Sequence, residues 1–274
     1  MIPKSPVKMR PYWHVDLKWI CGLLLVMVLA ATLGLYNLSK LTERERAIEL
    51  SATLIALAFS PGGLDSEEGV AEYRAQAAAQ PNEQIEVPNL PGITVGKQDV
   101  LTLPPRDLRL KIFSQISAPI YDKGVEGAVK ERTSDPNQQE QLEKNAFALK
   151  IFTAETHQMF QRNLRTGSIA CVVLLGALVY FSRRWGRLVS PAIVLLLSSW
   201  PGALIGQFML YPPPNSDGGP LGFLPPDLAP MLGRPLQQSY GLASLVGLSL
   251  LVIAAIGKLI TRLRKHHASG RLKK

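Results

Sequence analysis

The stretch WICGLLLVMVLAATLGLYNLS, Trp19–Ser39, decides how the rest of the chain is read. It runs 21 residues without a charge, between Lys18 and Lys40. As a helix it would extend about 30 Å, the thickness of a bilayer's hydrocarbon core. Three further stretches are also uncharged: Thr166–Ser182, Leu188–Ser216 and Pro235–Gly257, of 17, 29 and 23 residues. A membrane helix needs about 17–25 residues, and each stretch supplies that length. The 274 residues average a mean hydropathy of only +0.11, which conceals this segregation. A soluble globular protein, a disordered chain, a disulfide scaffold and a basic nucleic-acid module are all excluded as the leading class.

Charge then sets the sidedness. Lysine and arginine mark the cytoplasmic side within about 15–20 residues of a span end. Lys4, Lys8, Arg10 and Lys18 precede the first span, with one acid, Asp16. Arg183, Arg184 and Arg187 separate the second and third; Lys258, Arg262, Arg264, Lys265, Arg271, Lys273 and Lys274 follow the fourth. The segment 40–165 instead holds 15 basic and 18 acidic residues. The reading is an all-α integral membrane protein of a plasma or inner membrane. Four transmembrane helices stand in a 1 + 3 arrangement, with a mostly helical extracytoplasmic domain inserted between the first and second spans.

Both termini are then cytoplasmic. The expected order is a cytoplasmic segment 1–18, span 19–39, external domain 40–165, span 166–182, cytoplasmic loop 183–187, span 188–211, Pro-rich external loop 212–238, span 239–260 and basic tail 261–274. Tyr12, Trp13, Trp19, Tyr180, Phe181 and Trp185 sit at the inner edges and Tyr36, Tyr211 and Tyr240 at the outer ones, as an interfacial aromatic belt should. The first apolar run is too long for a signal-peptide core and is read as an uncleaved anchor. The net charge of +9 is thus a topology signal, and no nucleic-acid partner is expected. The basic tail could meet anionic lipid, though a solvated tail explains it equally simply. Cys21 and Cys171 fall at opposite depths of antiparallel spans and are expected as two free thiols.

Within 40–165 the signals are mainly helical. Ile48, Ala52, Ile55 and Phe59 share a helical face that ends at Pro61-Gly62-Gly63. Thr42 and Glu45 have capping-box spacing. Ser66-Glu67-Glu68 opens a helix to about Gln80, and Pro104-Pro105 opens another that Pro119 interrupts. Pro81, Pro88, Pro91 and Gly92 punctuate three β-type runs, Ile85–Val87, Ile93–Val95 and Val100–Leu103. From Asp135-Pro136 no proline appears up to Phe181, and Leu142, Ala146, Leu149, Thr153, Thr156 and Phe160 follow heptad spacing. That predicts one long helix feeding the second span. It could form an antiparallel stalk with the first, or part of a compact bundle.

Candidate chemistry is sparse. His14, His266 and His267 sit at the cytoplasmic edge and His157 alone is external, with Glu155 on a different helix face. No nucleophile elbow, metalloprotease motif, phosphate loop or dinucleotide fingerprint appears. No catalytic residue, metal ligand or cofactor is nominated. The spans hold no Asp or Glu, which argues against proton-coupled transport.

The third span is the distinctive one. Ser198, Ser199, Trp200, Pro201, Gly202, Gly206 and Gln207 form a candidate helix-packing or gate segment. Pro201 should kink the helix and free carbonyls that Ser198 or Ser199 could satisfy. Gly202-x-x-x-Gly206 permits close helix approach, Trp200 should pack against protein, and Gln207 needs a partner. Packing is the blander reading, a gate the sharper one. In the external loop, which holds eight prolines, Phe223, Leu224, Leu228 and Met231 are candidate contacts, with burial against the protein's own domain as the alternative.

No motif is specific enough to name a family. The sequence points to a membrane-anchored, non-enzymatic protein. It would present its external helical domain to another protein or envelope component through residues 40–165, with the bilayer and a homo-oligomer as further partners. A transporter or channel subunit using a broken third span is the alternative, and a membrane-bound hydrolase the remote third.

Overall fold

A computed structural model describes residues 13–60, 62–88, 90, 92–132, 136–182, 185–211 and 225–271. Among these residues the protein is mostly helical, with a single two-stranded sheet. Four helices are long and apolar enough to cross a membrane. They are α1 (Trp13–Leu41), α7 (Ala154–Phe181), α8 (Gly186–Leu210) and α9 (Leu228–Arg271). Their aliphatic side chains face outward in long exposed stripes, such as Leu242, Leu245, Val252 and Ile256 on α9. That is inside-out for water and appropriate for lipid.

The chain divides into two compact units. One comprises Met1–Asn37, Arg162–Asp217 and Leu232–Lys274; the other comprises Leu38–Gln161 with Gly218–Met231. In the first unit Leu25 of α1, Leu178 of α7 and Val194 of α8 meet in a buried cluster. α1 and α7 approach closely at small residues. A Cβ on Gly167 would lie 2.7 Å from the Thr32 hydroxyl, which itself sits 3.6 Å from Cys171 Sγ. Both cysteines are free thiols.

The second unit has an apolar core. α2 (Arg44–Ala58) lies along α5 (Pro105–Arg132), with Ala52, Ala56, Leu64 and Phe113 buried between them. α3 (Val70–Ala79) and α4 (Lys97–Thr102) flank a hairpin of β1 (Gln84–Glu86) and β2 (Thr94–Gly96), paired antiparallel with Ile85 opposite Val95. Only Ile85 and Val95 of these strands point inward, onto Val70, Tyr73, Val100 and Leu108. The third β-type run, Val100–Leu103, is instead mostly helix, because Val100 is the inward residue of α4.

The expected long helix from Pro136 to Phe181 is broken: α6 (Pro136–Asn145) ends, residues Phe147–Phe152 form a 3-10 helix, and α7 begins at Ala154. The break lets Leu149 and Phe152 turn into a core with Ile120, Val125 and Val129. Thr153 restarts the helix, its hydroxyl accepting from the Thr156 N–H at 3.3 Å. α2 therefore packs on α5 in a compact bundle and not against a long stalk.

Pro119 does not interrupt α5. The non-helical residue there is Gly124, at φ 74°, which a side chain would strain. On the expected face of α2, Ala52 is buried and Ile55 packs on the core, but burial extends to Ala47, Leu50 and Ser51, and Phe59 is left 71% exposed, stacked on Phe113. The capping box of Thr42 and Glu45 is not formed. Thr42 donates to Leu38 O at 2.8 Å, closing α1, and Glu43 holds the N-cap position of α2 without a side-chain bond to the helix's N–H groups. Finally, α9 begins at Leu228, inside the expected external loop. Pro230 falls in its first turn, where a missing N–H leaves no helical bond unmade.

Candidate functional site

Of the third-span residues, Ser199, Gly202, Gly206 and Gln207 gather on one interface within the first unit. α8 and α9 run antiparallel, and their contact is a ladder of small and polar groups. At one end a Cβ on Gly206 would lie 2.8 Å from the Gln237 nitrogen and 3.2 Å from Gly233 O. Gln207 Oε1 accepts from Gln237 Nε2 at 2.7 Å. A Cβ on Gly202 would meet the Tyr240 ring at 2.6 Å. Next come the Ser199 and Ser244 hydroxyls, 2.8 Å apart, and then Gly247 against Ala192 and Leu195. At the other end the Trp185 ring covers Gly257 and its Nε1–H donates to Thr261 Oγ1 at 3.3 Å.

This is close helix packing with hydrogen-bonded glue. Ser199 is fully buried, and both its hydroxyl contacts, Leu195 O and Ser244, lie within the protein. α8 remains helical through Pro201, so the expected break is absent. Nor do the serines serve the carbonyl that Pro201 frees. Pro201 has no N–H for Leu197 O, while Ser198 bonds Val194 O and Leu195 O and Ser199 bonds Leu195 O. Trp200, expected to pack against protein, is 58% exposed.

Sequence reading missed most of α9's part. Gly233, Gln237, Tyr240, Ser244 and Gly247 follow alternating steps of four and three, and so do Gly206, Gly202 and Ser199 on α8. That small-and-polar heptad was the available signal, diluted by the aliphatic residues between. Asn37 was missed as well. It is buried, its Oδ1 lying 2.9 Å from the Ser239 hydroxyl and its Nδ2 donating to Leu33 O.

In the second unit, His157 is the histidine whose side chain is described. Its Nδ1 lies 3.0 Å from Thr42 Oγ1 and its Nε2 2.9 Å from Gln161 Nε2. The Thr42 proton is committed to Leu38 O, so Nδ1–H donates to Thr42 and Nε2 accepts from Gln161. That direction is the reverse of a base activating a nucleophile. Among the described residues no group of three His, Cys, Asp or Glu converges as a metal site would.

Other polar groups here are structural. Arg109, buried, donates to Gly63 O, Leu64 O and Glu68 O. Arg106 pairs with Asp227 at 2.7 Å and Asp65 at 3.8 Å, and the Thr53 hydroxyl lies 4.0 Å from Met231 Sδ. Leu228 is 5% exposed, and Met231 packs at Thr53 within the unit. Phe223 and Leu224 lie outside the described residues.

Titration is perturbed at two exposed pairs. The Arg44 hydrogen bond holds the Asp122 carboxyl below its usual range, and Lys40 does the same for Glu43. Burial raises the Tyr73 and Tyr121 hydroxyls. None of these shifts sits in a cleft with a second reactive group. No protein-family model, curated protein or solved structure matches the chain.

Proposed function

We propose that the protein is a membrane-anchored, non-enzymatic scaffold that presents residues 38–161, with 218–231, on the extracytoplasmic side for contact with another protein or envelope component. The observation that carries this reading is a helical unit with its own apolar core, joined to four bilayer-length helices, whose buried Arg109 and whose His157 are bonded within the fold. Sidedness is supported by the basic segments. Lys18 lies beside Gly186, and Trp185 packs on Gly257 and Thr261, so three lysine- and arginine-rich segments share one end of the helical bundle. Ser199 and Gln207 of α8 are bonded to α9, which supports packing over a gate. Phe59 and Phe147, each 71% exposed, are the most exposed large apolar side chains among the unit's described residues. Photo-crosslinkers placed at these two positions in cells should yield a discrete higher-mass adduct. Adducts at neither position would count heavily against the scaffold.

A further inference from the structure

The outward face of α8 carries a stripe of exposed large side chains: Ile193, Leu197, Trp200, Leu204, Phe208 and Tyr211. Lipid tails cover aliphatic groups without penalty, but one turn of this stripe is polar. Trp200 lies near the middle of the 25-residue helix. A tryptophan N–H normally finds its partner at headgroup depth, not there. Pro201 is exposed on the same face and, having no N–H, removes the i+4 donor of the Leu197 carbonyl. Helix side chains lean toward the N-terminus, which sets the Trp200 indole at the level of that carbonyl turn.

One donor and one acceptor thus stand a turn apart on a face the seam with α9 does not use. We propose that this face binds a second copy of the chain. Two parallel α8 helices would pair about a two-fold axis along the membrane normal, each Trp200 Nε1–H donating to the Leu197 carbonyl of the other copy. A two-fold interface satisfies such a pair reciprocally. Unmet polar groups in hydrocarbon drive helix association where apolar burial gives no force. The steps from Leu197 to Trp200 and Leu204, three and four residues, suit a left-handed helix pair.

The test uses the full chain in phosphatidylcholine vesicles, labelled with donor and acceptor dyes and diluted with lipid. Energy transfer should follow a monomer–dimer equilibrium. Trp200→Phe, which keeps a ring but no N–H, and Pro201→Ala, which returns an N–H to Leu197 O, should each weaken the dimer about tenfold. With Cys21 and Cys171 replaced by serine, Leu204→Cys should form a disulfide dimer, while Val172→Cys on α7 should not. Energy transfer no greater than random proximity would show that lipid covers the face and overturn the proposal. So would a dimer that either Trp200→Phe or Pro201→Ala leaves unchanged, or one that crosslinks only through Val172→Cys.

Discussion

Gly206 and Gly176 occupy similar apolar helices with opposite demands. A Cβ at Gly206 would strike the Gln237 backbone, whereas one at Gly176 meets nothing within 4 Å. Gly206→Leu should therefore destabilise the helical bundle by about 1–3 kcal/mol in detergent unfolding. Gly176→Ala should be neutral or slightly stabilising, since alanine is the better helix former. Arg109→Met takes the donor from three carbonyls, of which that of Leu64 is buried, and should destabilise the second unit by about 1–3 kcal/mol, read by its thermal midpoint. The Arg44–Asp122 pair predicts a pH dependence. The folded Asp122 pKa is depressed, so its contribution is complete above the unfolded value near about 3.9 and disappears as pH falls through the lower folded value. Asp122→Asn should flatten acid unfolding below about pH 4 and change little at neutral pH, because the pair is exposed.

At the scale of elements, the helix break at 146–153 shows what hydrophobic spacing conceals. Leu149 and Thr153 fit a heptad, so a continuous helix was a fair reading of residues 136–181. The winning signal was local: Thr153 has a capping side chain, and the turn before it lets Leu149 and Phe152 reach the core. Thr153→Ala should lower the stability of the second unit by about 1 kcal/mol and reduce amide-exchange protection in the first turn of α7. The same lesson holds at Gly124, which ends regular helix where Pro119 does not. Proline removes one bond, but a helix can absorb that loss when packed on both sides. Positive φ cannot be absorbed. The four membrane-length helices were legible because absence of charge over such lengths has few other meanings. Which side of each helix faces its neighbour was not, since lipid and helix partners are equally apolar. Only the small and polar residues, Gly202, Gly206, Ser199 and Gln207, betray it.

At the scale of the whole molecule, the account rests on which side of the bilayer each end of the bundle occupies. Lysine and arginine distribution is a strong physical determinant of insertion, and α9 carries Arg234 alone near its start against Lys258, Arg262, Arg264, Lys265 and Arg271 at its other end. The direct measurement is cysteine accessibility in sealed cells or right-side-out vesicles, with Cys21 and Cys171 first replaced by serine. Phe59→Cys should react with a membrane-impermeant maleimide at once, and Leu263→Cys only after the membrane is permeabilised. Labelling of Leu263→Cys in sealed cells, with Phe59→Cys protected until permeabilisation, would contradict it.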